Sequence, residues 1–385
     1  MNSSTKVNQT TLVVNGYNST HGGGLRILQG LVRFLGNLPK DTFAKPPVVL
    51  FAPRHELSLI EEARAMGLNA RIYCPTGIQQ LDQFLLYFVY LPLRTLFVQH
   101  PECLLNLGDF IVPFVRRQVY YFDWLYAVID ASDVWKQMPI PQRINRGIKR
   151  ANIRSFINTP HVVIVQSLFV SQQMTRVLGR PAPTVIPCPV DEFVAAPAVT
   201  IPETPENGTK THQFLCLSSF ATHKNVEILL NTAGIVKSRG IKARIILTLD
   251  ETDQAVTSFL TRVIERGLTE FIVNAGVLKF DDVDTWFTAC DALLLPTKLE
   301  TFGMPYVESL TRGRPILTSD LPFAREICKT GTMFFDPDDP ISIADKIEAF
   351  IQRGGLAIDD SVVNKIVEGS RPKRVFTEII EQTRF

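Results

Sequence analysis

The chain of 385 residues is short of several things that would narrow its chemistry at once. Cysteine is sparse: Cys74, Cys103, Cys188, Cys216, Cys290 and Cys328 form no Cys-x-x-Cys pair and follow no regular spacing. That excludes a disulfide framework and a thiolate zinc site, and it leaves reduced core thiols of a cytoplasmic protein. Charge of one sign is not in excess, with 40 basic against 38 acidic side chains, so nothing argues for nucleic acid as a partner. The polar start MNSSTKVNQT lacks the apolar region of a signal peptide. No serine stands in a Gly-x-Ser-x-Gly setting, so the His-Gly-Gly-Gly stretch at 21–24 has no esterase nucleophile to serve. No metal-ligand cluster is legible, and no Asp-x-Asp is read in a strand-end loop. Internal repeats of about 20–50 residues are absent as well. The most apolar stretch, 81–98, is broken by Asp82, Pro92 and Arg94, whereas a membrane span needs about 20 uninterrupted apolar residues. A buried helix followed by a strand is expected there, in preference to an interfacial helix for a lipid-linked acceptor.

What is present is alternation. Short apolar runs such as TLVVNG, PVVLFAP, HVVIVQS, ARIILTLD and DALLLP alternate with helical patterns along the chain. That order predicts parallel sheets wrapped by helices, and the length calls for two domains. The proline-rich, aperiodic stretch 191–211 reads as a linker between a domain over 1–190 and another over 212–370. The expected fold is therefore α/β, two doubly wound domains facing each other across a cleft, with ligands at the carboxyl ends of the strands. The segment 371–385 reads as a final helix.

Three stretches carry chemistry. In LLLPTKLETFGMPYVESLTRGRPILTSD a buried strand ends at Pro296, a loop carries Glu300, and a helix opening near Pro305 holds Glu308. Gly303 permits close backbone approach, and a helix start aims free N–H groups and a positive dipole end at a phosphate. In SSFATHKNVEILLNTAGIV, Lys224 precedes a helix opened by Asn225 and supplies a point charge. In NSTHGGGLR, Gly22, Gly23 and Gly24 let backbone N–H groups close on a phosphate or sugar.

The first of these resembles the E-x7-E block of the retaining glycosyltransferases of family 4, through Thr301, Phe302, Gly303, Met304, Pro305, Gly313 and Pro315. The passage VIVQSLFVS…TVIPCPVDEF is similar to the segment that ends the N-terminal domain in that family. The resemblance implies a GT-B fold and metal-independent transfer of a hexose from a nucleotide diphosphate sugar to a glycan or lipid-linked acceptor. It implies no cofactor, and it implies that the final helix over 371–385 crosses back to pack on the N-terminal domain. By the same resemblance Glu300 positions the sugar, Glu308 accepts from ribose hydroxyls, and Lys224 meets the diphosphate beside the glycine loop. Val277 and Leu278 in NAGVLK would flank the base. The family usually also has an arginine five residues before the lysine, where this chain has Ser219, with His223 as a candidate substitute. A histidine-aspartate pair is matched in QVYYFDWLY by Phe122 and Asp123, which keeps only the acid; His100 is a further candidate. These departures keep open a degenerate sugar-nucleotide-binding subunit, and the two-domain architecture is also that of sugar-nucleotide epimerases. Finally, 134–156 holds six basic residues and no acid, which suits either a solvated helix or contact with an anionic membrane surface at the inner face.

Overall fold

The computed structural model describes residues 11–97, 102–129, 132–136, 138–191, 210–279 and 282–384. The expected linker at 191–211 and His100 fall largely or wholly outside them. The described residues form two compact units. The first takes in those up to Ser132, those of Pro139–Pro189 and the C-terminal segment from Ser370. The second holds those of Asp133–Met138 and Val190–Gly369.

In the first unit seven strands form one sheet: β1 (Thr11–Asn15), β2 (Val48–Phe51), β3 (Asn69–Ile72), β4 (Glu102–Asn106), β5 (Gln118–Tyr121), β6 (Val162–Val165) and β7 (Thr184–Val185). Their order is β3-β2-β1-β4-β5-β6-β7, with every pairing parallel. The second unit has six: β8 (His212–Cys216), β9 (Ala243–Leu247), β10 (Ile272–Asn274), β11 (Ala292–Leu295), β12 (Ile316–Ser319) and β13 (Thr332–Phe335). They run β10-β9-β8-β11-β12-β13, again all parallel. Strands such as VVLF, ALLL and ARIIL are buried along their whole length, as sheets covered on both faces require. In each sheet the order reverses once, between β1 and β4 and between β8 and β11, and such a switch point opens a crevice at the strands' carboxyl ends. The expected doubly wound α/β architecture is present in both units.

Amphipathic helices supply the outer layers. Helix Gly22–Gly36 buries Ile27, Leu28, Leu31, Val32 and Leu35. The last helix, Pro372–Glu381, belongs to the first unit, where the Phe376 ring lies 5.8 Å from that of Phe34.

Three local expectations need correction. The described part of the stretch, 81–97, does not turn into a strand: helix Gln79–Leu85, a wider π-turn over Leu86–Tyr90 and helix Leu91–Phe97 run on continuously, and Phe84 and Leu93 face solvent. The next described strand is β4, Glu102–Asn106. The helix expected to open at Asn225 instead starts at Ile228. The glycines of the 22–24 loop already form the first turn of their helix.

Candidate active site

The second unit gathers its chemistry where β8 and β11 end side by side. From β8 the chain runs through Ser218 and an exposed Ser219 into a single tight turn, Thr222–Lys224. From β11 it runs through Pro296 to Glu300 and then helix Met304–Thr311. The two loops are laced together. The His223 carbonyl accepts from the Lys298 backbone N–H at 2.7 Å and from Thr297 Oγ1 at 3.3 Å. Asn225 adopts a left-handed backbone, φ 57°, which aims its amide inward. Asn225 Nδ2 donates to the Pro296 carbonyl at 3.1 Å and to the Pro337 carbonyl at 2.7 Å, so one side chain fastens the ends of β8, β11 and β13.

On this frame Lys224 Nζ forms an ion pair with a Glu300 carboxylate oxygen, and both side chains are largely withdrawn from solvent, at 22% and 14% exposure. The motif's two ends have different settings, since Glu308 lies inside helix Met304–Thr311 and is 1% exposed. Gly303 caps that helix at φ 78°, and a Cβ there would stand 2.5 Å from the buried Tyr306 ring, so no other residue fits. Tyr306 is fixed in turn by a 2.8 Å hydrogen bond between its hydroxyl and Thr318 Oγ1. Phe302 and Met304 are buried in the loop's underside. Val277 and Leu278 follow the outer strand β10; Val277 is 68% exposed, so it is no strand-end core residue. An Asp-x-Asp does stand in a strand-end loop: Asp336 and Asp338 follow β13, a strand not legible in the sequence. There Asp336 Oδ1 accepts from the Asp338 N–H at 2.9 Å, and Asp338 pairs with Lys298.

The first unit has its own polar cluster at the ends of β1, β4 and β5. Gly22, Gly23 and Gly24 open their helix here, with Gly22 at φ 57°. Phe122 is buried in the core, so the position matched to the family's histidine presents nothing to a ligand. Asp123, the next residue, is open to solvent on one side. Desolvation by the surrounding protein nonetheless pushes its carboxyl up to about 6, with Asp109 adding to the rise and Lys149 opposing it. Lys149 was not anticipated as a site residue. It is buried, donates to Asp109 Oδ1 at 2.6 Å and lies 4.3 Å from the centroid of the Trp124 ring. Burial alone would raise the Asp109 carboxyl, but Lys149, Asn18 and His21 overcome it and hold the group below the usual range. The only sequence signal for Lys149 was the basic stretch that contains it. Among the described residues no group of three or more His, Cys, Asp or Glu could hold a metal ion.

Residues 211–353, which span β8 to helix Pro340–Gln352, match the family described as Glycosyl transferases group 1. The second unit is a group 1 glycosyltransferase domain. Among relatives, the O-antigen chain mannosyltransferase RfbU of Salmonella typhimurium is 24% identical over 130 residues, 34% of this chain and 36% of that protein. The match thus spans about a third of the relative's length. Whole-chain likeness comes from solved structures. A glycosyltransferase from Rickettsia africae superposes with a TM-score of 0.68 at 12% identity, covering 98% of each chain. Alr3699/HepE of Anabaena, solved in complex with UDP-glucose, superposes at 0.65 and 13% identity over 97% of this chain and 99% of that one. At such identities the likeness establishes the fold, and that fold is GT-B.

Proposed function

We propose that the protein is a retaining, metal-independent hexosyltransferase of family 4 that moves a hexose from a UDP- or GDP-linked donor to a glycan or lipid-linked acceptor. The observation that carries this is the meeting of Lys224 and Glu300 at the β8–β11 switch point, in front of helix Met304–Thr311 and inside a group 1 glycosyltransferase domain. As the bond from the anomeric carbon to the diphosphate breaks, negative charge grows on the leaving phosphate. Lys224 and the N–H groups behind Gly303 are the groups proposed to meet that charge, and stabilising it is where catalysis gains most. Glu300 holds the hydroxyls of the transferred sugar, Glu308 takes the ribose, and Val277 and Leu278 border the base. Within the first unit, the N–H groups of Gly22–Gly24 suit a donor phosphate or sugar, and the Asp123 cluster suits an acceptor hydroxyl. The nucleotide sugar is a substrate, and no cofactor is required. Similarity to an O-antigen chain mannosyltransferase favours a growing polysaccharide as acceptor; a cytoplasmic site of action, peripheral to the inner face of the membrane, is part of the same proposal and draws on the basic stretch 134–156.

Two observations favour a second reading, a sugar-nucleotide-binding subunit without turnover. Ser219 replaces a cation in the donor loop, and Phe122 is buried where a histidine would act. Donor hydrolysis measured with UDP-glucose, UDP-galactose and GDP-mannose separates the two. One of the three is expected to turn over and to raise the melting temperature. Glu300→Ala should then lower turnover by about two to three orders of magnitude, as loss of one preorganised charge-stabilising contact does, while donor binding persists. Unchanged turnover would remove Glu300 from the mechanism, and binding without turnover in the parent chain would establish the subunit reading.

A further inference from the structure

Lys224 and Glu300 are bonded to each other, yet the proposed reaction asks each for something else. Lys224 must face a diphosphate, and Glu300 must accept hydroxyl hydrogens from a sugar. Neither can do so while keeping the other. We infer that this ion pair is a specificity device that discriminates the intact sugar nucleotide from the spent nucleoside diphosphate. The inference rests on the donor site proposed above.

The argument is one of exchange. A nucleoside diphosphate draws Lys224 away and leaves the Glu300 carboxylate, only 14% exposed, without its cation. A partly desolvated carboxylate stripped of its partner is costly, so the bare diphosphate binds against that penalty. A sugar nucleotide brings the compensation with it, because the sugar hydroxyls donate to the carboxylate that Lys224 has left. Once the sugar has been transferred, that compensation is gone. Glu300 then reclaims Lys224, and the hold on the leaving diphosphate weakens.

The surroundings confine this exchange to two side chains. The backbone beside Lys224 is fixed by the His223 carbonyl bonds to Thr297 and Lys298 and by the double hydrogen bond of Asn225. Lys298, the neighbouring cation on the Glu300 loop, is committed to Asp338 across the β13 end and is not positioned as a replacement partner. Tyr306, beneath the loop, feels the Glu300 charge and is itself fixed to Thr318.

The test is a calorimetric titration of the full chain with UDP, GDP and the matching sugar nucleotides. Parent, Glu300→Gln, Glu300→Ala, Lys224→Met and the double variant Lys224→Met/Glu300→Gln are compared, with melting temperatures as the check on folding. Glu300→Gln is expected to bind the nucleoside diphosphate about five- to tenfold tighter than the parent, the worth of a half-buried ion pair no longer competed for. Its preference for sugar nucleotide over diphosphate should shrink by the same factor. Glu300→Ala should show the same gain, and the Glu300→Gln gain should not appear once Lys224 is methionine. Diphosphate affinity that is unchanged or weaker in a well-folded Glu300→Gln and Glu300→Ala would overturn the inference. If Lys224→Met leaves diphosphate affinity intact, or the parent binds neither UDP nor GDP, the donor site itself is misplaced, a different failure.

Discussion

Asp123 shows what a single residue can and cannot announce. Its neighbour Phe122 closes the core, while its own carboxyl is pushed up to about 6 by the protein around it. An unfolded aspartate titrates near 3.9, so between roughly pH 4 and pH 6 the folded chain keeps a proton that the unfolded chain has released. Stability from this group therefore falls as pH climbs through that window and is level above it. Asp123→Asn removes the effect. The variant and the parent should melt together near about pH 4, and the variant should melt higher from about pH 6.5 upward, read by thermal unfolding across the range. A constant gap at every pH would show that Asp123 is not shifted. Glu300 and Lys224 were legible because each sits in a contiguous string whose neighbours signal its setting. Asp109 and Lys149 were not, since forty positions separate the two partners and neither has a local pattern. Asn225 was read only as the opener of a helix and not as a left-handed staple, because its two acceptors come from distant strand ends.

Among the elements, helix Ile140–Phe156 departs furthest from a plain solvated helix. It buries Lys149, Asn152 and Ile153, with Asn152 clamping the backbone of Ile111 through hydrogen bonds of 2.8 and 3.1 Å. Its opposite side presents Ile140, Ile144 and Ile148 at 64%, 59% and 57% exposure, a spacing of four that keeps them on one face. Exposed Arg143 and Arg154 accompany them. No helix of the described residues is long and apolar enough to cross a membrane, so the contact we propose is interfacial. Sedimentation with vesicles containing anionic lipid should capture the parent chain and not Ile144→Glu/Ile148→Glu, while zwitterionic vesicles capture neither well. Equal capture of both proteins would dismiss this helix as the contact. The basic run was plain in the sequence, but its faces were not. The same limit applies to β4, whose ECLLN lacks β-branched residues and opens on a charge. Glu102 is tolerated there because Arg94 grips both its oxygens at 2.9 and 2.8 Å, a tertiary partner that no local pattern discloses.

At the scale of the whole molecule, alternation of apolar strands with helices was enough to specify two parallel, doubly wound sheets, because periodicity survives without knowledge of any contact. What alternation cannot say is which sheet a distant segment joins. The chain leaves the second unit at its end, and helix Pro372–Glu381 completes the first, burying Val375, Phe376, Ile379 and Ile380. The seat is Gly30, where a Cβ would lie 2.7 Å from Phe376 Cζ. Phe376→Ala should therefore destabilise the first unit by about 3–5 kcal/mol, as large-to-small core changes do, although the residue is far from that unit in sequence. Gly30→Ala should also destabilise, since the Phe376 ring must shift to admit a methyl. In the Phe376→Ala background the same change should become neutral or stabilising, because the space is open and alanine is the better helix former by about 1 kcal/mol. Denaturant unfolding of the four proteins measures that coupling directly. Additive losses would mean that the C-terminal helix does not rest on Gly30, whereas a reversal of sign would make the chain's last helix an integral part of its first domain.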